Sequence, residues 1–137
     1  MISKKTKYAL LALGYLAEKY DQGPQLISEI AVETKIPKKF LEAILLELKK
    51  IGVLSSKMGK GGGYYLRKPP SDVGLAKIIR FMNGPIAMLP CVSLNFYEKC
   101  DECTSEKECG LNKVMIEVRD TTLKVLENKT VADLINR

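Results

Sequence analysis

Residues 27–67 decide the fold: ISEIAVETKIPKKFLEAILLELKKIGVLSSKMGKGGGYYLR. Ser28 stands where a helix cap belongs, and a short helix follows to about Thr34, with Ile27, Ile30 and Ala31 as its buried positions. Lys35-Ile36 is a tight connection. Pro37 fits the first turn of the next helix, where its missing N–H costs nothing. That helix runs to about Ile51. Leu41, Ile44, Leu45 and Leu48 fall at i, i+3, i+4 and i+7, on one face, and Gly52 ends it. Val53–Lys57 and Gly63–Arg67 then read as short strands around the tip Met58-Gly59-Lys60-Gly61-Gly62, where glycine permits positive φ. A short helix, a turn, a second helix and a two-stranded ribbon make a winged helix-turn-helix.

Outward from this stretch, Ser3 is placed to cap a first helix over about residues 4–20, and Asp21-Gln22-Gly23-Pro24 stops it. Lys68-Pro69-Pro70 marks a boundary. Residues 1–70 are expected to form the DNA-binding domain, and residues 71–137 dimerisation helices with a Cys-rich sensor loop over 86–109. Ser71 or Asp72 is expected to cap a fourth helix through Met82, with Leu75, Ile78, Ile79 and Met82 as its apolar face; Asn83-Gly84-Pro85 ends it. From Leu111 the pattern is helical again, and Thr130 with Asp133 predicts a capped last turn over Val131 to Ile135. The expected fold class is mainly α with a small β-ribbon and a long C-terminal helix.

Composition narrows the function. The chain has 137 residues, and its 46% apolar and 28% charged content suits one compact globular unit rather than a disordered chain. It contains no His, which removes His-based nucleophilic or acid–base catalysis and His-ligated zinc or haem, so no enzyme is expected. The net charge is +6, and its distribution is uneven. Residues 1–70 carry 13 basic and 6 acidic side chains, whereas residues 71–137 carry 9 and 10. A basic first half predicts a polyanion partner for that half. Lys4, Lys5 and Lys7 precede an apolar stretch, Tyr8 to Ala17, but Glu18-Lys19 end it at helix length without a small-residue cleavage site. No membrane partner is expected, and the location expected is cytoplasmic, with reduced thiols.

The helix beginning near Pro37 is the expected reader of a double-stranded DNA operator. Lys38 and Lys39 lie in its first turn, and Lys39, Glu42, Ala43 and Leu46 turn away from the apolar face. Lys39 suits guanine or a phosphate, Glu42 a cytosine amine, and Ala43 a thymine methyl. In the wing, Lys57, Lys60, Gly61, Gly62 and Tyr64 are expected at the phosphate backbone or the minor groove. Lys5, Lys7 and Ser28 complete the expected DNA-contacting set. The glycine run is no nucleotide-binding loop: it lacks a Gly-Lys-Ser/Thr ending and leads into a strand.

Cys91, Cys100, Cys103 and Cys109 fall within 19 residues. Cys100-Asp-Glu-Cys103 is a chelating spacing, and five residues separate Cys103 from Cys109. A cytosolic cluster of this kind reads as metal or redox chemistry; four thiols suit an iron–sulfur cluster (two-iron or four-iron) and structural zinc equally. Further along, Leu111, Val114, Met115, Val118, Thr122 and Val125 form an apolar stripe about 25 Å long. Unless it packs back on the first helix, such a stripe predicts a homodimer, which also brings two half-sites to one operator.

These pieces together resemble the Rrf-two family of bacterial winged helix-turn-helix regulators, whose branches include IscR, NsrR, RirA and CymR. The resemblance rests on Lys7-Tyr8-Ala9-Leu10 with Tyr15-Leu16-Ala17, Ile30-Ala31 leading to Ile36-Pro37, Phe40-Leu41-Glu42 and Leu48-Lys49-Lys50-Ile51-Gly52, together with the Gly59-x-Gly61-Gly62-Gly63-Tyr64 wing and the Cys loop. It implies a transcription regulator that senses iron, redox state or nitric oxide through a cluster on three loop cysteines and a further residue. Cys103 and Cys109 match the family's second and third cysteines; the first matches Cys100 or Cys91. Where one branch has a ligating His, this chain has Asn112, so the fourth cysteine is free to complete an all-Cys site. Ala43 and Met58 stand where IscR-like proteins have Gln and Arg, so a different operator is implied. A thiol–disulfide or zinc-dependent regulator of the same fold, and an interaction module acting through a partner enzyme, are the alternatives. A thiol oxidoreductase built on Cys100–Cys103 is disfavoured by acidic neighbours.

Overall fold

The computed structural model describes residues 2–135. Helix α1 spans Lys4–Glu18, α2 Ile27–Thr34 and α3 Lys38–Lys50; strands β1 and β2 span Leu54–Lys57 and Gly63–Leu66; helix α4 spans Leu75–Asn83 and α5 Gly110–Glu127. Short 3-10 turns lie at Pro70–Asp72, Pro90–Val92 and Val131–Leu134.

The apolar spacing read from the sequence is the spacing that is buried. Leu41, Ile44, Leu45 and Leu48 of α3 meet Leu13 and Leu16 of α1 and Ile30 of α2 in one core, each no more than 2% exposed. Burying side chains of this size contributes roughly 1.5–3 kcal/mol apiece. That core fixes α2 and α3 as one rigid helix-turn-helix packed beneath α1. The turn is made by Lys35 in the left-handed region (φ 60°) followed by the buried Ile36.

β1 and β2 pair antiparallel, with Leu54 opposite Leu66 and Lys57 opposite Gly63. The ribbon is also stitched to the segment before α2. Gln25 N donates to Tyr64 O at 2.8 Å and Tyr64 N donates to Gln25 O at 2.9 Å. This bridge explains Gly63: a Cβ there would lie 2.1 Å from the Gln25 carbonyl oxygen.

Several local expectations need correction. Ser28 caps nothing; Leu26 holds the cap position and Ser28 sits exposed inside the first turn of α2. Pro37 is itself the cap of α3, with an extended ψ of 129°, rather than part of its first turn. Ser71 and Asp72 belong to a separate turn, and α4 starts later, after Gly74. The reason is tertiary: Leu75 N donates to Lys129 O and Val131 N to Val73 O, so this segment pairs with the chain's end before the helix begins. Ser3 does cap α1, accepting from Thr6 N. Thr130 and Asp133 form the expected capping box at the last turn.

Candidate nucleic-acid interface and cysteine site

The first turn of α3 holds Lys38 and Lys39 and no acidic residue, and its cap, Pro37, makes no side-chain hydrogen bond. Positive charge at a helix N-terminus opposes the macrodipole, and the free N–H groups there lack partners. The arrangement costs stability unless an anion lies against it. Lys38, Lys39, Glu42 and Ala43 are exposed, opposite the buried stripe of the same helix. In the wing, Lys57, Lys60 and Gly61 are exposed. None of these four lysines stands in an ion pair among the described residues.

The other residues of the expected set have further surroundings within the chain. Lys5 Nζ lies 2.8 Å from Glu47 Oε1, so its charge serves an α1–α3 ion pair. Lys7 borders a groove with Leu10, Asp133 and Leu134, on the side of α1 that meets the terminal turn. Gly62 is a hinge of the tip: its N–H is donated to Gly59 O, and a Cβ on it would lie 2.2 Å from Lys57 O. Tyr64 gives its backbone to Gln25 and packs its ring on the core. A lysine outside the expected set stands near α3 through an aromatic contact: Lys4 Nζ sits 5.9 Å from the ring of Tyr8, which in turn lies 6.4 Å from Phe40. The signal available in the sequence is the i, i+4 spacing of Lys4 and Tyr8.

The loop between α4 and α5 carries the thiols. All four cysteines line a single cavity of about 680 Å³, bordered by Glu98, Asp101, Glu102, Glu106 and Glu108. Cys91 lies in the Pro90–Val92 turn, Cys100 and Cys103 in a tight bend where Cys103 N donates to Cys100 O, and Cys109 at the head of α5. Cys109 caps α5, its sulfur accepting from Asn112 N at 3.4 Å. Asn112 Nδ2 also donates to Cys91 Sγ at 3.4 Å, which ties the first thiol to the last. Cys100 Sγ donates to Glu102 Oε2 at 3.0 Å; that bond holds the Cys100 thiol above its usual range and the Glu102 carboxyl below its own. Tyr97 donates to Glu106, one of the lining residues, and this bond raises the phenol.

Among the described residues, no three His, Cys, Asp or Glu side chains close on one point as a single ion requires; tetrahedral zinc wants sulfurs about 3.8 Å apart. A cluster spreads its cysteines over several irons and fills a volume, so the four soft donors around this cavity fit that group.

On α5, Leu111, Val114, Val118, Thr122 and Val125 are exposed and Met115 is half-buried, while Val118 and Thr122 also border a groove with Ile79, Asn83 and Pro85. Leu111, Val114 and Val125 are each more than half exposed. The opposite face, with Asn112 and Leu123 buried, packs on α4 and the Pro90–Val92 turn. No helix among the described residues is long and apolar enough to cross a membrane.

A family model described as an iron-dependent transcriptional regulator, Rrf2, matches residues 2–137. The chain is 44% identical over 138 residues to an rrf2-like HTH-type transcriptional regulator of Rhodobacter capsulatus, covering 98% of this chain and 92% of that one. Among solved structures, CymR (YrzC), the global cysteine regulator of B. subtilis, matches with a TM-score of 0.80 at 28% identity, over 98% of this chain and 95% of that one. IscR of T. potens matches with a TM-score of 0.74 at 28% identity, over 98% and 85%.

Proposed function

Because the chain belongs to the Rrf2 family, whose members are winged-helix transcription regulators and not enzymes, we propose that it is a homodimeric, sequence-specific DNA-binding regulator governed by an iron–sulfur cluster on its cysteine loop. Lys38 and Lys39, with the exposed Glu42 and Ala43, enter the major groove. Lys57, Lys60 and the tip glycine Gly61 hold the flanking backbone, with Lys4 as a further phosphate contact beside α3. The two-fold contact is the apolar stripe of α5.

One observation carries the cluster reading: four thiols spread over 19 residues line one cavity with room for a multi-atom group. Cys91, Cys100, Cys103 and Cys109 would hold it. Such a group, when bound, supplies reversible electron transfer and reactivity toward oxygen and nitric oxide. The chain's own residues set the surroundings. Cys109 places its sulfur at the positive end of the α5 dipole, and the acidic rim favours a cationic metal core over an empty set of thiols.

A thiol–disulfide switch is the second reading, favoured by the likeness to a cysteine regulator. Protein purified without oxygen separates the two. Iron and acid-labile sulfide with visible absorption support the cluster. A metal-free protein whose DNA affinity changes on reversible oxidation supports the switch instead. DNA affinity that falls steeply with salt supports the operator reading, and a flat salt response overturns it.

A further inference from the structure

Cys91 stands apart from the other thiols, nine residues before Cys100 and in its own turn, and α5 reaches it with two side chains. Asn112 and Arg119 lie seven residues apart on α5 and therefore share one face. Arg119 Nη1 donates to the carbonyl oxygen of Val92 at 2.8 Å, next to Cys91, and Val92 itself is 2% exposed. Asn112 is 6% exposed, and its side-chain amide is donated to Cys91 Sγ at 3.4 Å. Val92 and Arg119 hold the turn in place, and the Asn112 amide orients the sulfur. The backbone N–H of the same Asn112 is donated to Cys109 Sγ. One residue thus sits between the first and last thiols of the cavity.

We propose that Asn112 is the positioning residue that aims Cys91 into the cavity, making it a working member of a four-thiol site. This rests on the cluster reading above. Asn112 donates to sulfur and is not itself a ligand. Partners of this kind that orient a ligand commonly change metal affinity by about 10–100-fold when removed.

The test uses the full chain in two states. In the metal-free, reduced protein, Cys91→Ala shifts the NMR signals of the Asn112 side-chain amide, and Cys100→Ala does not. Unmoved signals in Cys91→Ala overturn the proposal. After anaerobic reconstitution with ferrous iron and sulfide, Asn112→Ala loses its cluster to a chelator at least about tenfold faster than wild type. Asn112→Gln, which keeps the amide donor, recovers part of that loss. Far-UV circular dichroism stays unchanged, because the cap on Cys109 is made by the backbone of residue 112. Adding Asn112→Ala to Cys91→Ala has no further effect if Asn112 acts through Cys91; an additive loss overturns the proposal. A wild-type chain that takes up no cluster overturns the cluster reading separately, while the metal-free NMR comparison still decides whether Asn112 holds Cys91.

Discussion

Gly63→Ala tests whether the wing is held by the Gln25 bridge or merely follows α3. The residue has φ 144°, which side chains rarely adopt, and an added Cβ would meet the Gln25 carbonyl oxygen at 2.1 Å and its carbon at 2.4 Å. Both atoms are backbone and cannot swing aside. The ribbon must therefore back away, breaking the two bonds at 2.8 and 2.9 Å. Two net hydrogen bonds are worth about 2 kcal/mol, and the backbone strain adds about 1–3. A loss near 4 kcal/mol lowers the melting temperature by roughly 10–15 °C for a chain of this size, and the protein still folds at 25 °C. Gly61→Ala is the control: φ is 75° and nothing lies within 4 Å, so only about 1–2 kcal/mol of left-handed strain applies. Thermal melts by circular dichroism, with anisotropy on a mixed-sequence duplex, read both effects. Gly63→Ala is expected to melt far below Gly61→Ala and to bind more weakly, because its wing is displaced. Equal melting of the two variants would refute the claim that the bridge fixes the ribbon.

Other outcomes follow from the same geometry. Lys39→Ala and Lys60→Ala each reduce the slope of log affinity against log salt by about 0.9 for every phosphate no longer neutralised, while Lys5→Ala leaves the slope unchanged, because Lys5 is engaged with Glu47. If the proposed dimer uses the α5 stripe, Val114→Glu combined with Val118→Glu converts it to folded monomers in sedimentation velocity, since both side chains are exposed on the single chain; a persistent dimer places the interface elsewhere, and a monomeric wild type refutes the dimer. The Tyr15 phenol titrates above its usual range, first because burial disfavours the phenolate and then through Glu29, Glu33 and Glu18. A folded value raised above the unfolded one means that the contribution of Tyr15 is intact below the unfolded value and is lost as pH rises through the folded one. Tyr15→Phe therefore weakens the alkaline fall in stability, and Glu29→Gln lowers the phenol's titration point measured by ultraviolet absorbance.

Periodicity made the helices legible, because burial of one face is what spaces Leu41, Ile44, Leu45 and Leu48. The glycine run was legible as a tip, because glycine adopts the positive φ found at 59, 61 and 63 without the steric cost a Cβ brings. The late start of α4 was not legible. Ser71 and Asp72 have good capping chemistry, and pairing of Val73 and Leu75 with residues 129 and 131, more than fifty positions away, overrides it. The exposed face of α3 was legible, since helix geometry alone separates exposed from buried there. The engagements of Gly62 and Tyr64 were hidden, because they depend on the folded tip and on Gln25. So was that of Lys5, whose partner Glu47 lies 42 residues later. In the cysteine site, spacing named the four thiols, but the part played by Asn112 depends on Cys91 lying beside α5, which no local pattern encodes.

Under the proposed function, helix α5 links chemistry to geometry, because its inner face meets the cysteine turn and its outer face is the proposed dimer contact. Asn112, Arg119 and Leu123 point inward to the thiols, the Pro90–Val92 turn and α4. Leu111, Val114, Val118 and Val125 point outward. Eighteen residues make a rod of about 27 Å, so a tilt of about 10° at its Cys109 end carries the far end by roughly 5 Å. Two reading heads on one operator must stay about 34 Å apart, and one base-pair step is about 3.4 Å. A tilt of that size thus exceeds a full step of register. The cysteine loop is also anchored at its other end. Asn83, the last residue of α4, accepts from Ser3 N at 2.8 Å and from the buried Thr6 hydroxyl at 3.2 Å. Ser3 caps α1 and Thr6 lies in its first turn, beside Lys4 and close to the Tyr8–Phe40 contact with the reading helix. The loop is therefore spliced between α5, the proposed dimer helix, and the start of α1, which packs on the helix-turn-helix. On the proposed reading, small movements suffice to change operator affinity, since α5 holds Cys91 and Val92 by two hydrogen bonds, each worth about 1 kcal/mol.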